Sequence, residues 1–400
     1  MSVPFWTTTI MQAIPMKTPD LLGIPESDLL AGGALWTARE IEQQPEMLAR
    51  THTLLAGLQA QIDAFAGPIA QDPRARIILT GAGTSAYIGQ CLAPLLDRRL
   101  PARVDAVPTT DIVSAPHLYL DPAQPLLLVS FGRSGNSPES LATVALVESI
   151  VADVRHLVVT CNPEGALGRV QARHLLTLQL PEETHDASFA MTSSFSCMMY
   201  ATLAAFVGAP QLEPRIPAIS RATAQIIDSA GATTQALALA GYERVVYLGS
   251  GVMQGLAREA ALKLGELSNG AVATCYDSPL GFRHGPKTFL QARTLVVVFV
   301  SNDPLTRQYD HDLIDELRQD SVAGRVIEVS AQPRVDAASD TIAVPLLAGA
   351  DDVDLLWPYV AVAQMFAFHV SRALGLSPDN PNKQGTVNRV VQGVRLHSVP

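Results

Sequence analysis

Cysteine is scarce in this 400-residue chain. The four present, Cys91, Cys161, Cys197 and Cys275, lie far apart. They form no C-x-x-C pair, and no H-E-x-x-H occurs, which excludes the usual zinc frameworks. Isolated thiols of this kind fit buried, reduced side chains of a cytoplasmic protein. Charge is sparse too. Charged residues make up 16% of the chain, and the formal net charge is −10. That excludes the broadly basic surface of a nonspecific nucleic-acid binder, while leaving room for a local basic pocket. No apolar run approaches the ~18 residues of a membrane span. The opening MSVPFWTTTIMQAIPM lacks the positive start and continuous apolar core of a secretory leader. What the chain has in quantity is apolar residues, at 48%. At this length they can build two domains with large cores.

Residues 1–36 carry several prolines and glycines with weak periodicity and read as an arm. From Thr37 a helix is expected, with Thr37 as N-cap and Glu40 completing a capping box. It runs, with a break at Pro45, to about Ala66. A rhythm of short apolar strands and amphipathic segments then begins. The strands are 77–80, 104–107, 126–130, 156–160 and 175–180, and the helical segments include 84–98, 137–152 and 164–172. An apolar helix at 191–209 closes this half. After a linker, QLEPRIP (211–217), and a helix near 219–240, the rhythm returns with strands at 244–250, 271–276, 295–301, 324–330 and 341–346. A last helix covers about 354–375. Strands alternating with helices mean parallel sheets covered on both faces. The expected organisation is two α/β modules, 37–210 and 218–376, with a polar tail at 377–400.

The halves look duplicated. ILTGAGTSAYIGQ in the first matches YLGSGVMQGLARE in the second, each a strand, a G-x-G and a helix. Neither is a dinucleotide fingerprint. Ser85-Ala86 replaces the third glycine in one, Gly255 falls one residue late in the other, and no acidic residue is placed for a ribose.

The stretch LLLVSFGRSGNSPES (126–140) is a strand feeding a small-residue loop at a helix start. Backbone N–H groups and the helix dipole converge there, which suits an anion. Ser134 and Ser137 add hydroxyls, Gly132 and Gly135 let the backbone approach, and Arg133 can clamp a phosphate or pair with an acid. The alternative is an ordinary turn capped by Ser137. The second half has SNDPLTRQYD at this point, where Asp303 would repel a phosphate.

The second half instead carries AREAALKLGELSNGAVATCYDSPLGFRHGPK. Lys263 and Glu266 are spaced to share a helix face. Glu266 precedes the C-cap signal Asn269-Gly270, and the negative end of the helix dipole would favour a basic carboxylate there. Glu259, Lys263 and Glu266 also fit a solvated ion-pair stripe. His284 lies between Arg283 and Lys287, which would hold it neutral and fit for proton transfer. His185 and Asp186 stand near Thr192-Ser193-Ser194, a cluster that fits either a polar pocket or a helix cap.

GAGTS (81–85), SFGRSGNSPES (130–140) and the paired modules resemble the sugar isomerase (SIS) fold, two doubly wound, flavodoxin-like αβα modules in tandem. With AVPTTD, ETHDASFAMTSS, YDSPLGFRHGPK and GTVNRVVQGV added, the chain resembles the AgaS-type proteins. These are known as galactosamine-6-phosphate deaminase/isomerases or tagatose-6-phosphate ketose/aldose isomerases. Similarity to the isomerase domain of glucosamine-6-phosphate synthase implies roles. Arg133, Ser134, Asn136 and Ser137, with Thr84 and Ser85, would hold a sugar phosphate, and the polar pocket read from Thr192-Ser193 would add to that site. Glu266 would be the proton-shuttling base, with Lys263 beside it. His284 would open the sugar ring from the partner subunit of a homodimer. Lys383 would match a C-terminal lysine, in a tail that is otherwise different. Gly132 and Arg133 replace a Ser-Gln pair of that relative, and the Glu-to-His gap is two residues longer. The resemblance implies no metal or organic cofactor, no nucleic-acid partner and no membrane. A plain isomerase and a non-catalytic sugar-phosphate sensor are the alternatives. No DNA-binding helix-turn-helix accompanies the modules, and the retained Glu266–His284 pair favours catalysis.

Overall fold

A computed structural model describes residues 20–334, 340–391 and 393–397. Residues 1–19 of the expected arm and the end of the tail lie outside the described residues. The first sheet contains β1 (Arg76–Thr80), β2 (Arg103–Ala106), β3 (Leu126–Gly132), β4 (Val154–Thr160) and β5 (Leu175–Gln179). The second contains β6 (Arg244–Gly249), β7 (Ala273–Asp277), β8 (Thr294–Phe299), β9 (Arg325–Ser330) and β10 (Thr341–Ala343). The spatial orders are β2-β1-β3-β4-β5 and β7-β6-β8-β9-β10, the same permutation twice, and all pairings within both sheets are parallel. This is the flavodoxin-like order, in which ligands bind beyond the strand C-termini where the winding reverses. In the first sheet that reversal falls between β1 and β3, the strands that lead into GAGTS and GRSGNS.

The main helices are α1 (Leu35–Glu42), α2 (Gln44–Ala70), α3 (Thr84–Arg99), α4 (Pro138–Ile150), α5 (Ser193–Val207), α6 (Ile216–Leu239), α7 (Val252–Leu267), α8 (Pro304–Asp320) and α9 (Asp352–Ala373). Alternate strand residues face opposite sides of each sheet. Leu79, Val129, Tyr247 and Phe299 point inward and merge with α2, α3, α5, α6, α7 and α9 into one core shared by both sheets. Ile78, Leu128 and Val158 point outward to α4, and Val246, Leu248 and Val298 outward to α8. The helix α9 is long and apolar enough to cross a membrane, yet its apolar window is wholly buried in this shared layer. A helix apolar on all sides belongs in a core.

Gly255 has a packing role. A Cβ there would lie 2.6 Å from the backbone nitrogen of Cys91, so glycine lets α7 settle directly on α3. The late glycine of the second G-x-G thus joins the modules.

Some local expectations need correction. Thr37 is not an N-cap but lies inside α1. Its N–H and hydroxyl both donate to Asp379 of the tail, at 2.8 and 2.7 Å. Glu40 is buried and accepts from the backbone of Ala187 and Ser188, so the capping box does not form. The segment 164–172 holds only a 3-10 turn, Ala166–Arg169. Most of the supposed linker is helical, because Pro210 and Pro217 start helices at Ala209 and Ile216 rather than break them.

Candidate active site

The reversal point of the first sheet is built for close approach. Gly135 has φ +65°, and a Cβ on it would lie 3.1 Å from the Cα of Gly165. The loop therefore turns where only glycine fits without strain. Pro138 opens α4 with Ser137 as its N-cap residue, leaving helix-start donors facing the loop. Ser134, Asn136 and Ser137 all reach solvent. The Ser137 hydroxyl does not cap the helix but donates to Glu139 at 2.8 Å. A hydroxyl rotor can turn from there to a ligand. The Asn136 side-chain oxygen accepts from the backbone of Ala166 at 3.0 Å and fixes the loop against its neighbour.

Arg133 has another task than the expected anion clamp. It is buried, and it donates to the carbonyls of Ser188, Phe189 and Arg389 at 3.1, 2.9 and 2.8 Å. Burial first, then the neighbouring Arg389, lowers its pKa to about 10, so it stays charged at neutral pH.

At the adjacent turn, Thr84 and Ser85 begin α3 and are buried. Thr84 meets the ionisable face of α7. Lys263 donates to the Thr84 hydroxyl at 3.1 Å, and its Nζ lies 2.8 Å from Glu266 and 3.3 Å from Glu259. Ser85 points to the sulfur of Met191 at 3.8 Å. The solvated-stripe reading of Glu259, Lys263 and Glu266 fails on burial. The side chains of Glu259 and Lys263 are 0% and 1% exposed, while Glu266 is 26% exposed. Two carboxyls and one ammonium leave one negative charge too many for a dry site. Glu259 takes up the difference. Burial raises its pKa to about 7, Lys263 pulls it down and Glu266 pushes it up. For Lys263 burial opposes the charge most strongly, but the two carboxylates outweigh it and its pKa lies above the ordinary value. The result is a charged Lys263 paired with Glu266, whose carboxylate opens to solvent at the junction of the modules.

The Thr192–Ser194 cluster is a cap rather than a pocket wall. Asp186 accepts from the N–H groups of Thr192 and Ser194 and from the Ser193 and Ser194 hydroxyls, at 2.5–2.9 Å. His185 beside it is half-buried, and burial, Arg389 and Arg133 lower its pKa. Lys383 is exposed, but the neighbouring Asn382 bonds to Asn269 at 3.0 Å, which sets this part of the tail against the end of α7. His284 is exposed as well. Phe282 anchors its loop in the outer cluster beside α8, and Arg283 and Lys287 both pair with Glu316 of α8. One chain therefore places His284 and Glu266 on opposite faces of the second sheet.

Glu259 was missed as a site residue, although its spacing of four from Lys263 could have suggested it. Arg389 and Glu40 left no local signal. The corresponding loop of the second sheet is closed by protein carboxylates. Asp303 caps α8 by accepting from Leu305 and Thr306, and Asp352 accepts from Asn302. Among the described residues no group of three His, Cys, Asp or Glu side chains is arranged to hold a metal ion.

A family model described as the SIS domain matches residues 71–208, which contain the whole first sheet. A D-galactosamine-6-phosphate deaminase, AgaS, from Escherichia coli is 45% identical over 380 residues, covering 94% of this chain and 99% of that one. One from Shewanella is 45% identical over 373 residues, covering 91% and 92%. Among solved structures, the tagatose-6-phosphate ketose/aldose isomerase from Escherichia coli aligns with a TM-score of 0.84 at 43% identity, over 91% of this chain and 96% of that one.

Proposed function

Because the chain belongs to the AgaS family of SIS-domain proteins, we propose that it is a hexosamine-6-phosphate deaminase/isomerase. It converts galactosamine 6-phosphate and water to tagatose 6-phosphate and ammonia. The observation that carries the reading is the Lys263–Glu266 pair. A buried ammonium, 2.8 Å from a carboxylate that opens to solvent, stands next to the turn that adjoins the anion loop.

In this reading the phosphate docks on Ser134, Ser137 and the start of α4, with the Thr84–Ser85 turn alongside. Fixed phosphate binding orients the open-chain sugar, so one carboxylate can serve two carbons. Glu266 takes the proton from C2 and returns it to C1. This leaves a hydroxyl-bearing C1 and an imine at C2. Water adds at C2, ammonia leaves, and the ketose remains. Lys263 holds the Glu266 carboxyl group in place, at 2.8 Å.

The separation of His284 from Glu266 within one chain supports a homodimer in which the partner subunit's His284 completes the site. The module limits 37–210 and 218–376 are part of the same proposal. The four unpaired thiols suit a reducing cytoplasm.

The test is to offer the purified protein several hexosamine 6-phosphates and hexose 6-phosphates while measuring ammonia and ketose together. The expected result is ammonia released in step with tagatose 6-phosphate. Ketose from galactose 6-phosphate, with amino sugars inert, would instead favour a plain isomerase. Binding without turnover would favour a sensor. The loop has its own test. A Ser134→Ala, Ser137→Ala double variant loses two donors to a charged oxygen, each worth about 1.5–3 kcal/mol. Its affinity for the 6-phosphate should fall roughly a hundredfold or more, with the melting temperature little changed. Unchanged affinity would make the loop only a turn.

A further inference from the structure

The tail is fastened to the body at three places. Asp379 accepts from Trp36 and Thr37 at the start of α1, and its carbonyl accepts from the N–H of Phe189 at 3.1 Å. Asn382 bonds Asn269 at the end of α7. Arg389 donates to the carbonyls of Asp186 and Ser188. Its own carbonyl accepts from Arg133, at 2.8 Å. Between the second and third fastenings runs an exposed span, Lys383 to Asn388. Arg133 is the direct chain neighbour of Ser134.

We propose that Arg133 is a positioning residue: a buried strut that ties the anion loop to the C-terminal tail and holds Lys383 in place at the end of α7. This inference rests on the phosphosugar reading above. The strut is a guanidinium rather than an amide because three carbonyls on two separate segments must be satisfied at once. One planar fork with five donors can do that. Two guanidiniums then lie close together. Asp186 and Glu266 act on Arg133 as opposing charges, whereas burial and Asp186 raise the pKa of Glu40 to about 8 and leave it largely protonated at neutral pH. The loop side chains that reach solvent and the tail lysine thereby share one rigid element. A phosphate that orders the loop orders the tail with it.

Two variants loosen the same fastening through different bonds. Arg133→Met removes the buried fork, which is the strut itself. Arg389→Ala keeps the backbone carbonyl that Arg133 holds and removes the tail's own bonds to the carbonyls of Asp186 and Ser188, so it shows what a loosened tail does when the strut is left in place. Hydrogen exchange, read without substrate, should speed up roughly tenfold or more at Gly385 and Thr386, the tail amides bonded to Asn382, in both variants, the loss expected when charged hydrogen bonds are removed. In the turnover assay kcat should fall about tenfold or more while KM changes little, because the tail lysine is misplaced rather than the phosphate site lost. Lys383→Ala should add almost nothing to Arg389→Ala, since the two act as one unit. Unchanged exchange in folded Arg133→Met would overturn the strut, even if Arg389→Ala exchanges faster, because Arg389→Ala leaves the Arg133 bond in place. Faster exchange with kcat intact and KM raised would make Arg133 a support of phosphate binding alone. A wild-type protein that turns over no sugar phosphate would sink the functional reading, while the exchange experiment would still decide the strut.

Discussion

Glu266→Gln should lower turnover by ~10²–10⁴-fold, the usual cost of losing a general base, while sugar-phosphate affinity stays close to wild type. The amide keeps the size of the side chain and can still accept a hydrogen bond, but it cannot take a proton from carbon. The sharper readout is exchange of the C2 proton with deuterated solvent, which should stop along with turnover. Lys263 lies 2.8 Å from the carboxylate it would lose, so the substitution also removes an ion pair. Glu266 is the exposed member of the cluster, however, and the amide oxygen can still accept from Lys263, so the fold should survive. A second arm tests the shared site. Mixed with an inactive His284→Ala variant, Glu266→Gln should regain part of its activity, because hybrid dimers contain one site with both groups intact. If C2 exchange runs at the wild-type rate in Glu266→Gln, Glu266 is a structural ion-pair residue and His185 or Lys383 becomes the candidate base.

The sheets were legible because their strands are buried on both faces. The whole of β3 is buried, and such strands read as continuous apolar runs. The anion loop was legible for a related reason. A glycine with positive φ and a proline opening a helix leave local marks in the sequence. Long-range partners leave none. Arg133 sits in the loop and looks like a ligand to phosphate, but its carbonyl partners lie 55, 56 and 256 positions away. Thr37 and Glu40 spell a capping box, yet the cap is Asp379, 342 positions on from Thr37. Spacing put Glu259, Lys263 and Glu266 on one face without saying whether that face met water or α3. Gly255 decides it, by letting the two helices touch where a side chain would hold them apart.

Lys263→Met should be among the most destabilising single changes in the molecule, and its cost should depend on pH. The methionine fills the space left by the lysine stem, so the loss is mainly the ammonium. Without it two carboxyls face each other, with Glu259 fully buried. Breaking a buried pair this way typically costs about 3–5 kcal/mol. In the wild-type protein Glu259 already has its pKa raised from 4.5 to about 7 by burial, partly offset by Lys263. A carboxyl held above its ordinary value keeps its proton in the fold but loses it in the unfolded chain. Stability from this group therefore falls as pH rises from 4.5 to about 7. Lys263 titrates in the same sense but much higher in pH. Its pKa is raised in the fold, so its contribution is complete at neutral pH and disappears only as pH climbs past that raised value. Removing Lys263 pushes Glu259 higher still and extends its penalty upward in pH. Urea unfolding should then show a modest loss at pH 5, where Glu259 stays protonated, and the full loss at pH 8, where its ionisation is resisted. Adding Glu259→Gln to Lys263→Met should restore most of the stability at pH 8 and little at pH 5. An equal loss at both pH values, untouched by the second substitution, would mean that Lys263 stabilises by packing rather than by holding the extra charge of the site.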